Sequence, residues 1–221
     1  MVQTRPRGEC PPLLKSKGAK WTKRWHRILD GHARGDWATP GAKKLLREAV
    51  LGLTHGKCAF CEGRLEVTTW AEIEHYHPKT RYPKHAFLWT NLFPACAICN
   101  LRKGEQDHQG ALLKPDEEDP ERYFWVHPDN GRLDPVPGLS PVEEARAAET
   151  IRICDLQRDA LRAERSDLVR RLSRCLARGG DSEDLAEFLD PRSAYKFVVR
   201  HVFDRYGCSR LADLDRHLFR K

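Results

Sequence analysis

The sequence predicts an α+β protein, a small metal-held core with helices on both sides. Three observations predict it. Two Cys-x-x-Cys pairs, Cys58 with Cys61 and Cys96 with Cys99, enclose 34 residues. Short runs rich in Val, Thr and aromatics lie between and after these pairs, as strands require. From Ser140 onward the apolar residues recur at helical spacing instead.

Residues 1–20 carry Pro, Gly and Lys without a periodic pattern and read as a mobile basic arm. Trp21 to Leu29 reads as a short helix with Trp21, Trp25, Ile28 and Leu29 on one side. Asp36 to Pro40 breaks the pattern. Ala42 to Leu53 is a second helix with Leu45, Leu46, Val50 and Leu53 as its buried stripe, stopped by His55-Gly56. Leu65 to Ile73 reads as a strand running into Glu74-His75. Lys79 to Ala86 is a basic loop, and a short helix starts near Cys96 or Ala97. A polar loop covers 104–119. Tyr123 to Leu133 reads as a hairpin turning at Asn130-Gly131. Ser140-Pro141-Val142-Glu143 has the order of a capping box, so a helix follows to about Cys154. Leu156 to Leu176 is the next helix, with Leu161, Leu168, Leu172 and Leu176 inside. Arg158, Arg162, Arg165, Arg170, Arg171 and Arg174 occupy its other faces, and Gly179-Gly180 stops it. Helices over Asp184 to Leu189 and Pro191 to Tyr206 complete the tail. The segments are therefore a basic arm with helices (1–54), a metal core (55–110), a loop and hairpin (111–139) and a helical region (140–221).

Composition bounds the function. The 221 residues are about one-third charged, with a formal net charge of +7. No apolar run approaches the roughly 20 residues of a membrane span, and the basic N-terminus lacks a secretory apolar segment. Together these place the expectation in the cytoplasm. Residues 1–57 hold 13 Lys/Arg against 4 Asp/Glu, a bias that suits a polyanion such as nucleic acid and equally a solvated surface. Eight cysteines in such a chain are not a disulfide framework. Cys10, Cys154, Cys175 and Cys208 are isolated thiols, and Cys154 and Cys175 read as small core residues.

The chemistry concentrates in the metal core. Two Cys-x-x-Cys turns in one region suit a tetrahedral zinc, so Cys58, Cys61, Cys96 and Cys99 are the expected ligands of a structural Zn²⁺. With four thiolates that ion has no open position, and its role is to pin two distant segments together. Between and beside the pairs lie Glu74-His75, Asn91 and Asn100. Phosphodiester hydrolysis needs a base, a cation and something to hold the base in line. His75 is the candidate base, because imidazole accepts a proton near neutral pH. Glu74 and Asn100 offer oxygens to a hard cation, Mg²⁺ or Mn²⁺. Neighbours on a strand point opposite ways, so Glu74 and His75 converge only if the strand ends there, as nearby Pro78 suggests. His77 is an alternative base or a phosphate contact. Lys79, Arg81, Arg102 and Lys103 are candidate phosphate or DNA contacts. No Gly-rich phosphate loop is present, so ATP is not an expected ligand.

These residues resemble the HNH endonuclease family with its ββα-metal motif. The matching runs are Glu74-His75-Tyr76-His77-Pro78, Asn91-Leu92 and Cys96-Ala97-Ile98-Cys99-Asn100-Leu101-Arg102-Lys103. The resemblance implies a zinc-stabilised HNH core in which Glu74 and Asn100 ligate the catalytic metal, His75 is the general base and Asn91 positions it. The Glu stands where Asp is more usual. Cys58 to Glu62, Trp89 to Leu92, Ala148 to Ile151 and Leu156 to Asp159 look like the PtuB subfamily, nucleases of Septu-type antiphage defence also found with retrons. That likeness implies a PtuA-like partner, an ATPase of the ABC/SMC class, with invading DNA as substrate. The alternative is a zinc-stabilised nucleic-acid-binding or adaptor module without catalysis.

Overall fold

The computed structural model describes residues 7, 9–65, 70–108, 110–179, 182–208 and 210–212. Two N-terminal helices, α1 (Pro12–Leu29) and α2 (Pro40–Gly52), precede a short antiparallel pair, β1 (Glu72–His75) and β2 (Leu92–Ala95), and a helix α3 (Ala97–Lys103). A one-turn helix α4 (Pro120–Tyr123) leads into a second hairpin, β3 (Phe124–Val126) with β4 (Leu133–Pro135). Four helices follow: α5 (Pro141–Ile153), α6 (Asp159–Ala177), α7 (Ser182–Leu189) and α8 (Lys196–Arg205).

β1 and β2 sit between two apolar clusters. Leu92 packs with Leu14, Trp25, Trp37, Leu46 and Val50 of the N-terminal elements. Phe93 and Ala95 pack with the cysteine region and the C-terminal helices. The pleat explains the split, because successive side chains leave a strand on opposite faces. All four residues of β2 are buried, so it is covered on both sides. The register places Glu74 opposite Phe93 and His75 opposite Leu92.

Several expectations change. The basic arm is helical from Pro12, because Leu14, Gly18 and Trp25 share a buried face. Gly18 of α1 faces the Phe87 carbonyl, which a Cβ would meet at an ordinary contact distance of 3.7 Å. Residues 1–6 and 8 of that arm lie outside the described residues. Leu29 and Leu45 are exposed, not part of the buried stripes. The strand expected from Leu65 is described only from Glu72; its residues 66–69 lie outside the described residues. Tyr123 closes α4 and does not open β3.

The helix expected from Leu156 starts at Asp159, after Asp155 takes a left-handed φ of 48°. Arg165, expected on its outer faces, is 1% exposed. Its guanidinium donates to the Gly131 and Leu156 carbonyls at 2.7 and 2.8 Å. Inward it meets two backbone carbonyls, and these hydrogen bonds offset its desolvation. Gly179 ends the helix at φ 72°, and Gly180 lies outside the described residues. The last helix starts at Lys196, not Pro191, because Tyr195 sits left-handed at φ 55°. The capping box at Ser140 and Glu143 forms with both of its hydrogen bonds. Among the described residues, no helix is long and apolar enough to cross a membrane.

Candidate active site and metal centre

The four expected cysteines meet. The sulfurs of Cys58, Cys61, Cys96 and Cys99 all lie within 4.8 Å of one another, and Cys61 and Cys96 are 3.9 Å apart. Ligands about 2.3 Å from a tetrahedral ion sit a little under 4 Å from each other, so the set fits a structural metal such as zinc. The first pair turns through a tight loop in which the Glu62 N–H donates to the Cys58 carbonyl at 3.0 Å. Ala59 N–H donates to the Pro94 carbonyl at 2.8 Å, fixing that loop to β2. The second pair opens α3, where Cys96 is the N-cap and accepts from Cys99 N–H at 3.4 Å. Burial pushes the Cys58 thiol well above its usual range. A bound cation reverses that cost.

Arg158 completes this centre. Its guanidinium lies 3.8 Å from the Cys99 sulfur and 3.9 Å from that of Cys96. Burial pulls its pKa down, but the fields of Cys99, Cys61 and Cys96 win and raise it. Gln157 beside it clamps the Leu133 backbone through both ends of its amide. Thr150 accepts from Leu113 N–H at 2.9 Å. The C-terminal helices are therefore tied directly to the cysteine cluster and to the 113–133 segment. The sequence carried one signal for this, the run Leu156 to Asp159, without saying what it touched.

Glu74, His75 and Asn100 line one cleft of about 300 Å³, together with Trp37, Lys79, Leu101 and Glu105. β1 ends at His75, so both neighbours reach the same space. His75 is 4% exposed and its Nε2–H donates to the Ala86 carbonyl at 3.0 Å. A carbonyl only accepts, so Nε2 carries the proton and Nδ1 keeps the lone pair. Trp37 meets the imidazole edge-on with ring centroids 4.7 Å apart. Burial, helped by the charge of Lys79, lowers the His75 pKa to about 3, so the ring is neutral at neutral pH.

Asn91 is buried and does not line the cleft. Its Oδ1 accepts from His77 N–H at 2.7 Å, and its Nδ2 donates to the His77 and His85 carbonyls at 3.0 Å each. It thereby fixes both ends of the loop that carries Ala86, the residue holding the imidazole. His77 is absent from the cleft lining and packs instead among Tyr76, Tyr82 and His85.

Glu74 is 5% exposed, and its Oε1 lies 2.7 Å from the Lys103 ammonium. Burial pushes its pKa up to about 6, against the pull of Lys103, which leaves it ionised at pH 7. Lys103 is 1% exposed, so the expectation that it reaches a surface phosphate is corrected. Its position at the inner edge of α3 turns it toward Glu74, while the neighbouring Arg102 faces outward and pairs with Asp155 at 3.3 Å. Lys79 pairs with Glu105 at 3.6 Å, and its carbonyl accepts from Trp25 Nε1–H. Arg81 is exposed beyond this ring. Sequence reasoning missed Trp37 as a wall of the cleft, since its place depends on how α1 and α2 pack.

Comparison with known proteins adds a relationship at this point. The chain is similar to Septu protein PtuB. It is 31% identical over 120 residues to the protein of that name from Bacillus thuringiensis, covering 53% of this chain and 44% of the relative. It is 26% identical over 193 residues to the one from Bacillus mycoides (strain KBAB4), covering 73% of this chain and 59% of the relative. The chain thus spans about half the length of these curated relatives. No protein-family model matches it.

Proposed function

We propose that this chain is a metal-dependent endonuclease of the HNH type that hydrolyses DNA, acting in Septu-like antiphage defence beside an ATPase subunit. The observation that carries the reading is the cleft itself. A neutral imidazole whose Nε2 is tied to the Ala86 carbonyl keeps its lone pair on Nδ1 and lines the same cleft as Glu74 and Asn100.

In this reading Nδ1 of His75 takes a proton from water as the water oxygen attacks phosphorus. The bond to the leaving 3′ oxygen breaks. Ala86 holds the ring, and Asn91 holds the loop that carries Ala86. Trp37 keeps solvent off the imidazole, so the ring remains unprotonated until substrate water arrives. Glu74 and Asn100 present oxygens from β1 and α3 that suit one hard cation completed by water. When bound, such a cation would take up charge on the phosphate and on the leaving oxygen. Arg102 and Arg81 are exposed, as contacts to flanking phosphates would require. The defence role and the ATPase partner rest on similarity to Septu protein PtuB and on the sequence runs shared with that subfamily.

Two observations favour a second reading, a zinc-stabilised nucleic-acid-binding module. Glu74 is already paired with a buried lysine, and His75 is almost inaccessible. Plasmid cleavage with Mg²⁺ or Mn²⁺, alone and with a PtuA-like ATPase of the kind the resemblance implies, separates the two. Nicking or linearisation that His75→Ala abolishes at unchanged zinc content supports the nuclease. Full cleavage by His75→Ala, or none from folded zinc-loaded protein with its ATPase present, rejects it.

A further inference from the structure

Lys103 lies behind the cleft rather than in its lining, and is the least expected partner of the residues that form it. Its side chain is fully buried, and the ammonium sits 2.7 Å from Glu74 Oε1 and donates to the His75 carbonyl at 2.8 Å. One cation thereby holds both the side chain of Glu74 and the backbone of His75. A buried charge persists only where acceptors replace its water, and here the acceptors belong to the two residues on which the chemistry would depend. The same carboxylate is the one acidic group among the expected ligands of a divalent ion.

We propose that Lys103 is a positioning residue that serves as an internal cation, occupying the Glu74 carboxylate until a divalent metal displaces it. The inference rests on the reading of Glu74 as a metal ligand. Two cations on one buried carboxylate repel each other, so an arriving ion weakens the hold of Glu74 on the ammonium and favours its displacement. A place for it exists. Lys103 lines an adjoining cavity of about 450 Å³, together with Glu105 and Asp155. Those carboxylates currently pair with Lys79 and Arg102 and can accept a third cation. Rotation of the four-carbon side chain would carry the ammonium from Glu74 toward these carboxylates, while α3 stays anchored through Cys96 and Cys99. While Lys103 remains in place, Glu74 and the end of β1 are held in register for the incoming ion.

Mn²⁺ binding to zinc-loaded protein, followed by the loss of the free-ion electron paramagnetic resonance signal, tests this without relying on activity. Lys103→Met should bind Mn²⁺ about tenfold more tightly than the unmodified chain, the effect of removing a like charge beside the ion. Lys103→Arg keeps the charge and should bind no more tightly. Glu74→Gln should lose the site. If Glu74→Gln bound Mn²⁺ unchanged, the metal-ligand reading and this inference would both fall. If Glu74→Gln lost the ion but folded Lys103→Met bound no better than the unmodified chain, only the role of Lys103 would fall. Should Lys103→Met fail to fold, ¹⁵N-lysine spectra of the unmodified chain decide. The buried ammonium resonance, identified by its absence in Lys103→Arg, should shift or vanish on saturation with Mg²⁺. A resonance unmoved by bound Mg²⁺ would overturn the proposal.

Discussion

His75 shows how environment sets the use of a residue. Its ring is held by one carbonyl, walled by Trp37 and pushed to a pKa of about 3 by burial, with Lys79 adding to the shift. An unfolded chain would protonate the same ring near pH 6.5. As pH falls, the unfolded state therefore takes up the proton first. The stability owed to neutral His75 is complete above pH ~6.5 and is lost as pH falls toward 3. Glu74 acts with the opposite sign. Its pKa of about 6 lies above the unfolded value, so its contribution is present below pH ~4.5 and lost as pH rises through 6. The larger shift belongs to His75. Denaturant midpoints should fall as pH drops below about 6.5, and His75→Gln should flatten that decline. Equal slopes in both proteins would refute the assignment. At this scale residue identities were legible in sequence and their surroundings were not. Glu74, His75 and Asn100 were expected together and share a cleft, whereas the partners Trp37 and Ala86 come from other segments and Lys103 from the far end of α3. Nothing local marked Lys103 as facing inward, since Arg102 beside it is chemically similar and exposed.

Among the elements, the second hairpin is the most constrained. The Asn130-Gly131 turn was readable from sequence because few residues tolerate a left-handed backbone, and Gly131 has φ 66°. Its second constraint was not readable. A Cβ on Gly131 would lie 2.0 Å from the Arg162 carbonyl oxygen of α6, so the turn is pressed against a helix backbone. Gly131→Ala combines a strained φ with an overlap that backbone atoms cannot relieve, and should cost roughly 3 kcal/mol or more. Thermal melting measures it, and a loss under about 1 kcal/mol would show that the turn and α6 are not in contact. Helices with caps and stops were read well, as α5 illustrates through Ser140 and Glu143. Helices α6 and α8 were read several residues too early, α8 because the left-handed Tyr195 carries no glycine-like warning and α6 because Leu156 and Gln157 still belong to the turn that follows α5. The N-terminal helix was missed up to Trp21 because its polar face dominates the composition.

For the whole molecule, the cysteine centre lies within one continuous apolar cluster that includes the C-terminal helices. The sequence suggested segments joined in series, yet Arg158, Gln157 and Thr150 tie the helical region to the cysteine cluster and the 113–133 segment. Such long-range ties have no local pattern to announce them. Removing the metal should therefore loosen more than the two knuckles. A strong chelator is expected to collapse the near-ultraviolet dichroism and to open the C-terminal helices to protease. Arg158→Ala should release zinc roughly tenfold faster to a colorimetric chelator, the scale usual for groups that support metal ligands. Chelation that left α5 and α6 protected would contradict this coupling. The two-sided burial of β2 has a further consequence, for how the chain tolerates insertion and deletion. Leu92 serves one apolar cluster and Phe93 the other. Adding or deleting one residue there would hand each cluster the other's side chain and carry His75 out of step with its strand partner. The strand works as a ruler with two faces, so length variation should be excluded between Asn91 and Cys96 and accommodated in the polar stretch after Gly104.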